Sequence, residues 1–395
     1  MIAASLPVQR SADARLLVVD EQGNVSHHAR VNFLNFVRAG DVVIANDAAT
    51  LPASLAGVHA RTGSVIEVRL AGRPSLEPED VTHFTAVLFG AGDFRTPTEY
   101  RPLPPSIRIG DSLRLGPLTA VVTAVLGHPR LVAIRFSHSA AEVWEGLARY
   151  GRPIQYAHVA EPLPIWDTWT RIASRPVAFE PPSAGFMLDW ATIRSIRSRG
   201  AEFATLTHAA GISSTGDAAL DWLLPLGEAY EIPAATAALI ESVPQRRGRV
   251  IAIGTTVVRA LEDAANGDGT VRTGCGVATQ RIGPHSNLSV VDAIVSGMHE
   301  RGTSHYELLR AFQDDTTLER MVHEADARGY RTHEFGDSVL VLRGAGRAGG
   351  AGRRVERVVN DEQPERPETT RTIRTIRTIR TIRTIRTIQA TIGYF

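Results

Sequence analysis

Lysine is missing altogether, and all 43 basic residues are arginine. That excludes a lysine Schiff base and a Walker-type phosphate loop, both of which need an ε-amine. Cysteine occurs once, as Cys275, so an intramolecular disulfide and a thiolate metal cluster are excluded as well. No apolar run approaches the roughly 20 residues that span a bilayer. The first ten residues, MIAASLPVQR, lack the charged-then-apolar order of a secretory signal. These absences predict a cytoplasmic chain without membrane contact. Net charge is also scarce, at +1, and unevenly spread. Residues 343–395 hold twelve arginines against five acidic residues, which leaves about −6 on residues 1–342. A nucleic-acid contact on the folded part therefore needs a local basic patch, because backbone affinity comes from neutralised phosphates.

What is present is an ordinary globular composition, 43% apolar and 22% charged over 395 residues, enough for two domains and a tail. The most informative stretch is 249–263, RVIAIGTTVVRALED. Its residues 250–253 form an apolar run short enough for a buried strand, and 257–261 follow at helical spacing after the Gly254-Thr255-Thr256 break. A strand that turns into a helix this way leaves several backbone N–H groups unpaired and aimed in one direction. The helix dipole adds partial positive charge there, which suits an anion or a polar ligand edge. The threonine hydroxyls either bind that ligand or cap the helix.

Taken in order, 15–20 predicts a strand, Gly23-Asn24 a turn, and Val31, Leu34 and Val37 a helical face with Gly40 as its C-cap. Residues 41–47 predict a second buried strand that presents Asn46 and Asp47 at its end. From Gly57 the texture changes to short β-branched runs at 64–70, 83–89, 112–115, 118–126 and 131–136, the pattern of a small barrel or sandwich. Ser139 and Glu142 then make a capping box that starts a helix ending near Gly151. Strands are expected at 176–179 and 201–207, an apolar run at 290–295, and a closing strand at 338–342. Helices are expected at 187–199, 234–242 and 303–312, with a second capping box at 316–319. The organisation that follows is an α/β main domain built from two chain segments, 1–56 and 150–342. A β-barrel-like domain is inserted at 57–149, and residues 343–395 form a disordered tail. That tail consists of a Gly/Arg linker followed by six Arg-Thr-Ile repeats at 371–388.

Four predicted strand ends carry polar or glycine-rich loops: Asn46-Asp47, Pro182-Ser183-Ala184-Gly185, 208–211 and Gly254-Thr255-Thr256. Ligands of α/β folds bind beyond the carboxyl ends of strands, so these loops are expected to converge. At this point the chain resembles a known family, the S-adenosylmethionine:tRNA ribosyltransferase-isomerases of queuosine biosynthesis. The resemblance is carried by 15–20, by Gly40-Asp41 through Asn46-Asp47 with Leu51-Pro52-Ala53, and by the Pro-Ser-Ala-Gly stretch. Glu228 with Tyr230-Glu231-Ile232-Pro233, residues 248–262, Val290-Val291-Asp292, His299, and Tyr330 with Gly336-Asp337 continue it across most of 10–342.

Membership in that family implies transfer of the ribosyl unit of S-adenosylmethionine to the aminomethyl group of a 7-deazaguanine already in tRNA. The ribose isomerises, adenine and methionine leave, and the product is epoxyqueuosine. The donor is then S-adenosylmethionine and the macromolecular partner tRNA, with no metal and a monomeric chain. Such chemistry needs a base for the amine, a proton donor for adenine, and negative or dipolar charge near the sugar cation. Glu228, Asp47 and His208 are the candidates for those catalytic tasks. Asn46, Ser183, Ala184, Gly185, Gly254, Thr255, Thr256, Arg259 and His299 are the candidate substrate contacts. Each also has a plain structural reading: Asp47 as a turn cap, Glu228 as a solvated loop carboxylate, His208 as a buried hydrogen-bonded imidazole, and Arg259 as an i, i+3 partner of Glu262. His299 and His305, six apart and without partner carboxylates at metal spacing, do not make a metal site.

The chain departs from the family where the pattern N-D-T-R-V-I-P-A-R becomes 46–54, NDAATLPAS, so that Ala49 and Ser54 stand in place of arginines. The family's G-L-H-F-T likewise becomes 185–189, GFMLD, without a histidine. Two alternatives stay open on the same scaffold: an enzyme that uses a small-molecule acceptor, and a non-catalytic nucleoside-binding protein.

Overall fold

The computed structural model describes residues 1–5 and 13–347. The Arg-Thr-Ile repeats and most of the Gly/Arg linker lie outside the described residues, as does the expectation of disorder attached to them. Hydrogen-bonded structure runs past the boundary drawn at 342. The Arg343 and Gly344 N–H groups donate to Asp292 O and Phe312 O, each at 2.9 Å. Among the described residues no helix is long and apolar enough to cross a membrane.

A nine-stranded mixed sheet forms the main body, in the order Gly274–Ala278, Glu228–Ile232, Glu202–His208, Val42–Asn46, Val250–Ile253, Ala293–Gly297, Ser338–Leu342, Arg15–Val19, Val25–Ala29. Its four central strands, from Glu202–His208 to Ala293–Gly297, are mutually parallel. Three of them, Val42–Asn46, Val250–Ile253 and Ala293–Gly297, are almost wholly buried, and burial on both faces explains their apolar composition. Val42, Val43, Ile44 and Ala45 are all 0% exposed. On one face the helices Ala234–Glu241 and Thr255–Ala264 cover the sheet through Ala237, Ile240, Val257 and Leu261. On the other, Ile196 of the Trp190–Ser198 helix and Phe33 of a short 3-10 segment pack against Val43 and Ile251.

A closed barrel of six antiparallel strands is inserted after Val42–Asn46, the first central strand in the chain, in the order Leu118–Val125, Leu131–Phe136, His83–Phe89, Val65–Gly72, Ser54–His59, Ser112–Leu115. The first of these begins at Ser54, ahead of the boundary drawn at 57. Closure removes the exposed edges that short strands of this kind would otherwise present. The Ala140–Tyr150 helix follows, with Ser139 and Glu142 capping each other reciprocally.

Some local expectations fail. The segment expected as an amphipathic helix at 31–37 is a 3-10 turn over Arg30–Phe36, and Val31 is 73% exposed. The capping box at 316–319 does not form: the helix Asp315–Ala327 starts earlier, where the Asp314 side chain accepts from Thr317 N. Strands Val25–Ala29 and Gly274–Ala278 have no counterpart in the sequence reading.

Candidate functional site

The carboxyl ends of the parallel strands open into a cleft of about 820 Å³. Two walls come from the most distinctive sequence stretches. Gly254 adopts φ +101°, a left-handed conformation that a side chain would strain, and so lets strand pass directly into helix. The Thr255–Ala264 helix has no side-chain cap, so its first N–H groups point at the cleft that Thr255 and Thr256 line. Beside it lie Ser183 and Ala184, which open a short 3-10 turn, the Ala184 Cβ being 3.5 Å from where a Cβ on Gly254 would stand.

Glu228 occupies the floor. It is 6% exposed, and its Oε1 accepts from Gly211 N at 2.5 Å. Its Oε2 pairs with the Arg259 guanidinium and lies 3.5 Å from His208 Nε2. Arg259 is itself anchored, donating to Ala278 O at 2.9 Å and Leu226 O at 3.3 Å. Burial pulls its guanidinium down to about 10, still charged at neutral pH. The Arg259–Glu262 pairing expected from spacing is not made. Glu262 instead accepts from the N–H groups of Ser289, Val290 and Val291. His208 is fully buried behind Glu228, and burial together with Arg259 keeps its imidazole neutral. It does not line the cleft and is placed to pack against Glu228 rather than to meet a ligand.

A second carboxyl group faces the same cleft and was not a candidate from the sequence. Glu180 is 8% exposed and takes hydrogen bonds from the Tyr156 hydroxyl and, at 3.1 Å, from Ser213 N. Burial, reinforced by the nearby Glu334 charge, pushes it up to about 7. The signal was its position just ahead of the Pro-Ser-Ala-Gly stretch. Its environment comes from Tyr156 and Ser213, which the chain supplies from elsewhere. His305 was likewise missed as a site residue. Its ring stacks on that of His299, with centroids 4.2 Å apart, and both line the cleft. Burial lowers His305 to about 4 and His299 well below the usual range, so both are neutral hydrogen-bonding rings at pH 7.

The cleft therefore gathers Glu228, Ser183, Ala184, Gly254, Thr255, Thr256, Arg259 and His299. It does not gather Asp47, Asn46 or Gly185. Asp47 turns to the other face of the sheet, where its carboxylate accepts from Thr207 Oγ1 at 2.7 Å and Thr205 Oγ1 at 3.0 Å. Asn46 is a buried bracket: its Nδ2 donates to His208 O at 2.9 Å, and its Oδ1 accepts from His208 N at 3.0 Å. The N–H groups of Ser183 and Gly185, expected to hold a nucleoside edge, are occupied by Pro181 O and Pro182 O.

One group of metal-ligating side chains occurs among the described residues, His158, His333 and Glu334. The two imidazoles stack at 4.3 Å and 17°, and one ligand atom from each of the three side chains lies within 4.8 Å of the others. His158 Nε2 already engages Glu334 Oε2 at 3.1 Å. The arrangement is that of a hydrogen-bonded stack.

Comparison with known proteins supplies the context for this cleft. The chain is 31% identical over 359 residues to an S-adenosylmethionine:tRNA ribosyltransferase-isomerase of Gloeobacter violaceus, covering 87% of this chain and 93% of that protein. A protein of the same name from Azoarcus sp. is 31% identical over 350 residues, covering 87% and 94%. Among solved structures, the S-adenosylmethionine tRNA ribosyltransferase of Thermotoga maritima aligns with a TM-score of 0.46 and 21% identity, over 86% of this chain and 96% of that one. A family profile described as queuosine biosynthesis protein matches residues 1–341, so the chain belongs to the queuosine biosynthesis protein family.

Proposed function

We propose that this protein transfers the ribosyl moiety of S-adenosylmethionine to 7-aminomethyl-7-deazaguanine in tRNA and isomerises it, giving epoxyqueuosine. The observation that carries the reading is two carboxyl groups in one cleft with opposite surroundings. Glu228 lies against a guanidinium, which favours its anionic form, while burial keeps a proton on Glu180 up to about pH 7. Environments that separate two carboxyl groups in this way divide base and acid roles between them. Glu228 is then the group that stabilises positive charge developing on the sugar and accepts the amine proton. Glu180 is the group that donates a proton to departing adenine. The uncapped N–H groups at Thr255 and Thr256 and the neutral His299–His305 pair supply hydrogen bonds to the polar edges of the donor. Asp47, facing away from the cleft, has no part in this assignment. The reading also places the protein in the cytoplasm and leaves the reaction without a metal.

The test is single-turnover release of adenine from labelled S-adenosylmethionine in the presence of tRNA bearing the aminomethyl base. Glu228→Gln is expected to slow release by roughly 100-fold or more, the scale of lost proton-transfer catalysis, while donor binding persists. An unchanged rate removes Glu228 from the mechanism. A small-molecule acceptor is the second reading, favoured by Ala49 and Ser54 where the family pattern carries arginines. Adenine release that needs no tRNA would select it.

A further inference from the structure

The face of the sheet to which Asp47 turns carries a groove of about 900 Å³ of its own. One wall is the Trp190–Ser198 helix, whose Ile193 and Ile196 are buried against the sheet. Trp190, Arg194 and Arg197 fall at i, i+4 and i+7, along one side of that helix, and line the groove together with Ile193. Trp190 is 70% exposed, as are Trp166 at 68% and Trp222 at 76%. Arg194 and Arg197 are exposed, and among the described residues neither makes an ion pair or a side-chain hydrogen bond. Ile172 and Phe203 line the groove beside them. At its base, Asp47 is held in place by the Thr205 and Thr207 hydroxyls, leaving its remaining acceptor capacity to the groove.

An aromatic platform, apolar flanks, a fixed acceptor and two uncompensated guanidinium groups are what an unstacked nucleotide requires. The base stacks, its amino edge finds an acceptor, and the flanking phosphates find arginine. The residues of this chain up to 342 carry about −6 in net charge, and Arg194 and Arg197 set two exposed cations beside Trp190 on this face. The groove is also continuous with the cleft along the chain: Ser183 and Ala184 line the cleft, and Trp190 follows within seven residues.

We infer that this groove binds a single-stranded RNA segment, with one base on Trp190 between Ile172 and Phe203, its amino edge on Asp47, and adjacent phosphates on Arg194 and Arg197. The inference rests on tRNA as the acceptor and gives that acceptor a second point of attachment outside the reaction cleft.

The test uses the full chain, a fluorescein-labelled anticodon stem-loop RNA and an unstructured RNA oligonucleotide, with binding followed by anisotropy over a salt series. Arg194→Glu/Arg197→Glu is expected to weaken binding of both RNAs at least about 10-fold and to lower the slope of log K against log salt by roughly 1.5, the amount for two phosphate contacts. Trp190→Ala is expected to weaken binding by about 5- to 100-fold with the slope unchanged, as for loss of one stacked base, and Trp190→Phe to restore most of it. S-adenosylmethionine binding, measured on the same samples, is expected to be unaltered and reports that each variant is folded. Wild-type affinity and slope in both variants, or a wild-type protein that binds neither RNA at low salt, would overturn the proposal. Adenine release with modified tRNA separates the two readings. RNA binding that depends on the groove without tRNA-dependent release keeps the groove and removes the tRNA-modifying function, and tRNA-dependent release that is indifferent to both variants does the reverse.

Discussion

At the scale of single residues, the protonation of Glu180 links the cleft to stability. Its carboxyl group titrates at about 7 when folded, against 4.5 for an unperturbed glutamate. Between those values the folded chain holds a proton that the unfolded chain has released. Stability is therefore highest below pH 4.5 as far as this group is concerned, and is lost as pH rises toward 7. The separation corresponds to roughly 3 kcal/mol. Urea midpoints at several pH values are expected to show wild type losing about that much relative to Glu180→Gln across the window, whereas parallel curves would mean that Glu180 titrates normally. The sequence made Glu228, Arg259 and the Gly254–Thr256 turn legible because each sits in a distinctive stretch. Glu180 was not legible for a physical reason: its upward shift comes from burial, with the Glu334 charge adding to it and the Tyr156 and Ser213 hydrogen bonds opposing it, and all of these come together only on folding. Asp47 misled for the complementary reason. It ends a strand, and its neighbour Asn46 faces the cleft side, so alternation along the strand sends Asp47 to the other face.

Among the elements, the Ala140–Tyr150 helix shows how far local chemistry reaches. Ser139 and Glu142 satisfy each other's backbone N–H groups, a signal contained in four residues, and it was readable without tertiary information. Ser139→Ala is expected to cost about 1 kcal/mol, read as a lowered urea midpoint with the slope unchanged; no change would mean that packing of Val143 and Leu147 alone sets the helix start. The same motif misled at 316–319, because Asp314 lies two residues upstream and caps Thr317 N first. Where two side-chain acceptors compete to cap one helix, a short motif cannot decide between them. Two of the strands missed, Val25–Ala29 and Gly274–Ala278, are the edges of the main sheet. Edge strands face water and need no apolar alternation, so His27, His28, Gly274 and Gly276 gave no period-2 signal.

In the whole molecule, the barrel is an insertion in sequence but not an independent core. One apolar cluster joins Leu55, Val68, Phe84, Leu113 and Phe136 of the barrel to Val177, Phe179, Ala209 and Ala229 of the main sheet region. Phe84 sits at the junction, edge-to-face with Phe136 and with Phe179, each at 6.0 Å. The cleft depends on this junction, because Phe179 immediately precedes Glu180 and the Phe179 N–H bonds Ala210 O beside Gly211. A barrel that unfolded separately would have to expose that shared surface, so one cooperative transition is expected. Four of the five tryptophans, at 166, 169, 190 and 222, lie beyond the barrel and its helix, so tryptophan fluorescence reports mainly on the main domain. Phe84→Ala, a change in a barrel strand, is expected to cost about 3–5 kcal/mol. It should move the urea transitions seen by fluorescence and by far-UV circular dichroism together, with donor binding lost over the same range. A fluorescence midpoint that stays where it was while the circular dichroism signal splits into two steps would show that the barrel folds on its own. The positions of Glu180 and Gly211 would then have to be fixed by the main sheet alone.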